Sequence, residues 1–178
     1  MIIPWAMPQY ISALTWRGMF NQEYGSINLI LTKFLHMDSI QWLSSPFEAF
    51  SACILTNIWL GFPFMMVIAL GGLQSIPNDL YEAAEIDGAG RWKKFLHITL
   101  PEIRFVVGAI IMLRFIWNMN KFDEVFLLTP NVKTLPVYTY FTAFTGSIDQ
   151  GQAASIAVVQ FLLLIVMIFY YIRRVLKW

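Results

Sequence analysis

Two long stretches without a charged residue constrain this chain more than any other feature. Thirty residues separate Glu48 from Asp79 and twenty-three separate Asp149 from Arg173, none of them Asp, Glu, Lys or Arg. A helix needs roughly 20 apolar residues to cross a hydrocarbon core, so each stretch is long enough to span a membrane. The 178 residues as a whole agree, being 58% hydrophobic and 13% charged, against about 45–50% and about 25% in soluble domains. The 15 Phe, 7 Trp and 7 Tyr exclude disorder. Cys53 alone excludes a disulfide framework. A net charge of +1 gives no electrostatic case for nucleic acid as a partner. The expected fold class is an all-α integral membrane protein, a transmembrane helix bundle set in a lipid bilayer.

The uncharged stretches place spans at 47–73 and 151–172. A third is expected at 101–120, where Arg104 and Arg114 sit towards the ends and can snorkel to the interface. Pro63 kinks the first span and leaves a carbonyl free for a partner. Gly61, Gly71, Gly72 and Gly108 are close-packing or bending positions. Residues 1–20 are apolar and aromatic but interrupted by Pro4, Pro8 and Arg17. Without a basic n-region they are no signal peptide, and they read as a partial span or an interfacial helix. A polar turn follows at 21–26, then a short interfacial helix and loop to 45. Trp5, Trp16 and Trp42 suit the headgroup depth.

Lys and Arg counts near span ends set the orientation. Arg91, Lys93, Lys94 and Arg104 flank or fill the segment after the first span, and Arg173, Arg174 and Lys177 end the chain. Arg17, Lys33, Lys121 and Lys133 are spread thinly over the opposite side. Segment 75–100 and the C-terminus are therefore expected in the cytoplasm, with 21–45 and the loop 121–150 outside.

The cytoplasmic segment is the informative one. Asn78 is a plausible N-cap, Asp79 and Glu82 favour a helix start, and Asp87-Gly88-Ala89-Gly90 breaks the helix, with glycine suited to the left-handed turn. A second short helix from Arg91 to His97 carries Trp92, Phe95 and Leu96, and Leu100-Pro101 closes it and opens the next span. Glu85, Arg91, Lys93 and Lys94 read as solvated or headgroup-facing. On residue chemistry alone, an amphipathic hairpin that merely links two spans is an equal reading.

Glu82-Ala83-Ala84-Glu85-Ile86-Asp87-Gly88-Ala89, followed by Phe95, Ile98, Leu100 and Pro101, resembles the EAA loop of ABC importer membrane subunits. The flanking Pro4-Trp-Ala-Met-Pro8, Asn57-Ile-Trp-Leu-Gly-Phe-Pro63, Gly72-Leu-Gln-Ser-Ile-Pro77 and Leu127-Leu-Thr129 resemble the carbohydrate-importer branch of that family. Two departures stand out. Family members usually carry further spans ahead of the Pro-Trp-Ala-x-Pro segment, so the resemblance is to an N-terminally truncated permease. Pro130-Asn131-Val132-Lys133 replaces a frequent glycine-rich stretch.

The resemblance implies a single importer transmembrane domain over 1–178 in a bacterial or archaeal plasma membrane. Residues 75–100 would be the coupling loop that docks on a cytoplasmic ATP-binding subunit, with Glu82, Ala83, Ala84, Asp87, Gly88 and Ala89 as the coupling residues. It also implies a second permease subunit, an extracytoplasmic solute-binding protein, no cofactor in this chain, and a sugar or related solute as cargo. The alternative is a transport-inactive anchor or remnant of a permease. For the pathway, polar groups within spans are the place to look: Asn57, Asn118 and Gln160, with Trp59 and Trp117 as aromatic faces. Bonds between neighbouring helices explain the same amides. An enzyme is not expected. His36 and His97 fall on opposite sides, no HExxH, Gly-x-Ser-x-Gly or P-loop occurs, no metal set is visible, and Asp123-Glu124 reads as interfacial loop.

Overall fold

The computed structural model describes residues 3–175, so Lys177, counted above towards the basic C-terminus, lies outside the described residues. Ten helices follow in order: α1 (Ile3–Ala6), α2 (Gln9–Met19), α3 (Ser26–Phe34), α4 (Pro46–Gln74), α5 (Asn78–Ile86), α6 (Arg91–Lys94), α7 (Arg104–Met119), α8 (Asp123–Leu128), α9 (Leu135–Phe144) and α10 (Gln150–Val175). Between α6 and α7 a π-helical turn (Phe95–Thr99) and a short turn (Leu100–Glu102) continue the helix. No strand occurs among the described residues.

The 29 residues of α4 make a rod about 44 Å long at 1.5 Å per residue, more than a hydrocarbon core requires. It runs unbroken through Pro63, which is buried against its neighbours. The second long helix, α10, keeps most of its apolar side chains on the outside, Phe161, Val166 and Phe169 among them. That suits a surrounding of lipid, where exposed apolar groups cost nothing.

The third span differs from the sequence expectation. Its helix neither ends nor restarts at Leu100-Pro101. It continues through both residues and breaks at Ile103, and the Arg91–Glu102 arm meets Arg104–Met119 at 63°. Pro101 lies in the short turn Leu100–Glu102, directly after the π-helical turn, which takes up the misfit that a residue without an N–H makes in the backbone ladder.

Helices α4 and α7 run antiparallel. Gly72 lies against Val106 at one end of the seam, and Asn57 meets Asn118 at the other. A β-carbon on Gly72 would stand 3.0 Å from both Val106 methyls, so the glycine sets how closely the two helices approach.

Helices α1, α2, α3 and α8 form a cap at one end of this pair. The stretch 1–20 is two pieces, because Pro8 separates α1 from α2, and the eleven residues of α2 reach only about 16 Å. Helix α2 packs on α8 and α4, with Ala13 and Ser12 buried. Trp16 and Trp42, both partly buried, pack on Phe20 in a cluster completed by Ala52 and Leu128. Buried Asn28 holds segment 21–45 together. Its Nδ2 donates to the carbonyls of Gln22 (3.1 Å) and Ile40 (2.9 Å), and its Oδ1 accepts from Trp42 Nε1 (3.1 Å).

The expected loop 121–150 contains two helices. Leu135-Pro136 starts α9, which packs along α10 with an aromatic cluster of Phe122, Phe126, Tyr140 and Phe141 behind it. Asp149 then caps α10 by accepting from the Gln152 amide at 2.8 Å. Asp123 and Glu124 lie in α8 rather than in a loop.

Gly72→Leu should wedge α4 from α7, since extra methylenes in a filled seam typically cost about 1–3 kcal/mol. The expected outcome is a lower Tm for the detergent-solubilised protein. Gly71→Leu, whose β-carbon meets nothing within 4 Å, should leave Tm near wild type.

Candidate functional site

Two places gather the residues singled out in the sequence: the elbow between α5 and α6, and the α4–α7 seam.

At the elbow, Asn78 is the first helical residue of α5 rather than its cap. Pro77 takes the cap position, without a side-chain hydrogen bond. Glu82, Ala83 and Ala84 lie in the body of α5, and Asp87 is its C-cap. Gly88 has φ +74. Its N–H donates to Glu85 O (3.0 Å), while Ala89 N–H donates to Ala84 O (2.8 Å). This crossed pair of bonds around a left-handed glycine satisfies the last carbonyls of the helix. Any β-carbon at Gly88 would be strained by conformation alone, although nothing crowds it within 4 Å.

Two side-chain contacts brace the elbow. Tyr81 Oη and Thr99 Oγ1 share a hydrogen bond of 2.9 Å, and Lys94 Nζ donates to Glu85 Oε1 at 2.5 Å. Glu85 and Lys94 are therefore paired across the turn and not simply solvated; the Lys94 side chain is only 16% exposed. Lys94 holds the Glu85 carboxyl below its ordinary range, chiefly through the hydrogen bond. The outer face stays open. Ile86 is 88% exposed, Glu82 is exposed, and no residue of α5 is buried.

In the seam, Asn57 Nδ2 donates to Asn118 Oδ1 at 3.0 Å. Arg114 does not snorkel. Its guanidinium turns inward onto α4, bonding the Asn57 carbonyl (3.1 Å) and side-chain oxygen and filling the space over Gly61, where a β-carbon would collide with it. Lys121 pairs with Glu124, and both side chains are nearly buried. These groups border two cavities. One of about 320 Å³ is lined by Asn57, Asn118 and Thr134, and one of about 350 Å³ by Trp5, Phe64 and Trp117; Arg114, Lys121 and Glu124 face both.

The structure thus brings Asn57 and Asn118 together and places Trp117 next door, its ring tilted against Phe64 at 5.1 Å. Trp59 packs edge-on against Trp16 at 5.7 Å instead. Gln160 donates to Met119 O (2.9 Å) and Asn120 Oδ1 (3.1 Å), bordering a separate cavity between α9 and α10. Sequence reading missed Arg114, Lys121 and Glu124. Two signals were present: an ionisable residue inside a span turns to the protein interior, and Lys121 and Glu124 stand at helical i, i+3 spacing.

The model of the family described as "Binding-protein-dependent transport system inner membrane component" matches residues 1–177. The chain is 38% identical over 176 residues to the inner membrane ABC transporter permease protein YcjO of Escherichia coli K12, covering 98% of this chain and 60% of that protein. It is 40% identical over 178 residues to the maltose/maltodextrin transport system permease protein MalF of Vibrio cholerae, covering 92% and 34%. It is 37% identical over 175 residues to the trehalose/maltose transport system permease protein MalF of Thermococcus litoralis, covering 97% and 59%. The chain spans three-fifths or less of the length of these relatives. Its fold is that of a chain in a bacterial ABC transporter involved in alginate import, with a TM-score of 0.74 at 22% identity, covering 98% of this chain and 64% of that one.

Because the Glu85 carboxyl is held low, the Glu85–Lys94 link should persist at neutral pH and be lost only as pH falls through that lowered range. Lys94→Met should move the Glu85 titration up toward the ordinary carboxylate range, read by carboxyl-carbon NMR. An unmoved titration would mean the pair is not formed in solution.

Proposed function

This chain belongs to the family of binding-protein-dependent transport system inner membrane components, and on that premise we propose that it lines part of the import pathway for a sugar or related solute. Its relatives YcjO and MalF are permeases. The observation that carries the reading is the open elbow. The segment Glu82–Ala89 sits on a short helix with no buried residue, closed by a left-handed glycine and braced from behind by two side-chain contacts.

Such an element suits docking into a cleft on a cytoplasmic ATP-binding subunit. Glu82 offers a charge, Ala83 and Ala84 allow close approach, and Asp87, Gly88 and Ala89 fix the angle. A braced helix carries a rigid-body rotation from a docked partner into the spans. ATP hydrolysis belongs to that partner. A second permease subunit completes the pathway, and an extracytoplasmic solute-binding protein delivers the cargo, the latter in keeping with a family of binding-protein-dependent transport components. Segment 75–100 and the C-terminus face the cytoplasm, following the Lys and Arg asymmetry.

On the pathway side, Asn57, Asn118 and Trp117 supply amide and aromatic groups of the kind that recognise hydroxyl-rich ligands. Trp59 and Gln160 support the surrounding helices.

Gly88→Val should leave membrane insertion intact, since the long apolar helices determine it. It should lower solute uptake and the recovery of the ATPase in pull-downs, because the β-carbon penalty at positive φ is roughly 1 kcal/mol or more. Wild-type uptake and ATPase recovery in this variant would sink the coupling role. For orientation, a cysteine at 133 should react with an impermeant reagent in intact cells and one at 93 should not; the reverse pattern would invert the topology.

A further inference from the structure

The last turns of α10 carry two parallel rows of side chains at i, i+4 spacing, and each row ends in an arginine. Ile165, Phe169 and Arg173 form one row, and Val166, Tyr170 and Arg174 the other. Side chains four apart make ridges on a helix surface, and between these two ridges runs a groove of about 640 Å³. Val166, Phe169 and Tyr170 stand exposed along it. Arg173 lays its guanidinium over the Phe169 ring, 4.3 Å from the centroid, which holds a positive charge at the mouth of the groove. Both ion pairs among the described residues lie elsewhere, at Glu85–Lys94 and Lys121–Glu124, so neither guanidinium has a carboxylate partner among them.

We propose that this face of α10 binds an anionic phospholipid of the leaflet at the helix C-terminus, with one acyl chain along the groove and the phosphodiester between Arg173 and Arg174. The proposal requires only that α10 crosses the bilayer, and it stands apart from the transport reading. From Ile165 to Arg174 is about 14 Å at 1.5 Å per residue, close to half of a roughly 30 Å hydrocarbon core. The apolar part of the groove thus matches one leaflet, and the arginines, where the uncharged stretch ends, fall at headgroup depth. A guanidinium donates in a fork that the paired oxygens of a phosphate match. Charge then selects among lipids. Two full positive charges outweigh the roughly half negative charge at a helix C-terminus, so a headgroup with net negative charge is favoured over a zwitterion, whose ammonium is repelled. A helix of another protein fits the apolar ridges equally, but it has no use for the two charges that close them.

The test uses the full chain with Leu162→Cys carrying a bimane fluorophore, on a Cys53→Ser background, reconstituted in phosphatidylcholine vesicles. Leu162 is exposed and lies one turn from Val166 on the same row, so bromines on a bound acyl chain quench the label. Dibrominated phosphatidylglycerol should bind about tenfold more tightly than dibrominated phosphatidylcholine, equivalent to about 1.4 kcal/mol. Arg173→Gln with Arg174→Gln should bring the two lipids level, and either change alone should leave about a threefold preference, half of the same free energy. Arg173→Lys with Arg174→Lys, which keeps the charges that guide insertion, should weaken the preference without abolishing it. Arg91→Gln with Lys93→Gln removes the same charge from α6 and should change nothing.

Equal quenching by the two lipids in the unsubstituted arginine background overturns the proposal, because the charges then select nothing. Quenching by neither overturns it too, since a protein segment then covers the face. Millimolar inorganic phosphate at constant ionic strength should leave the preference intact; its loss would make the arginines a site for a free anion and not for a lipid. A preference that survives both glutamines would place its origin away from this face.

Discussion

A guanidinium inside a membrane helix has to find its acceptors in the protein, and Arg114 finds them on α4. Lipid offers none, and an unsatisfied polar group in hydrocarbon costs several kcal/mol. The bonds to the Asn57 carbonyl and side chain therefore tie α7 to α4 at a fixed depth. Two small residues make that depth reachable: Gly61 opens the space that the guanidinium fills, and Gly72 lets the other end of the seam close onto Val106. With the seam set at both ends, the positions of Asn118, Lys121 and Glu124 follow, and so do the two cavities that share those charged walls.

The cap over the seam is held by a different kind of contact. Asn28 exhausts its amide on backbone and side-chain groups of residues 22–42, so a stretch with no repeating structure after α3 still has one conformation. Leu43 extends the connection, since its carbonyl accepts from Thr129 Oγ1 (3.0 Å) and Asn131 Nδ2 (2.8 Å). Arg17 adds a bond from α2 to the Leu127 carbonyl at 3.3 Å. The polar groups of this cap join segments, whereas its aromatic groups fill volume around Phe20.

The sequence made some of this legible and concealed the rest for physical reasons. Absence of charge over a span length is a one-dimensional signal, and α4 and α10 announce themselves by it. Gly88 was readable because helix termination is local: an acidic cap, a glycine and a basic run lie within a few positions. Glu85–Lys94 was not, because the pairing exists only once the elbow has folded the chain back. Arg114 lay in plain view, but its partner is 57 positions away, and no local pattern points to Asn57. Helix α9 was hidden by its length, ten residues being too few to cross a bilayer alone. The sequence marks Pro101, whereas the break falls two residues further on, at Ile103.

The angle at Ile103 has a mechanical corollary. The twelve residues from Arg91 to Glu102 form an arm about 18 Å long, set at 63° to the helix that follows. A straight helix rotating about its own axis moves only its side chains. A cranked one sweeps its far end through an arc, so turning this arm by about 10° about the break displaces its tip by about 3 Å. The crank also works in reverse, because a sideways push of that size at Arg91 is delivered to α7 as torque. Gearing of this kind comes from bond angles in one short segment, and it requires no part of the bilayer-embedded helices to bend.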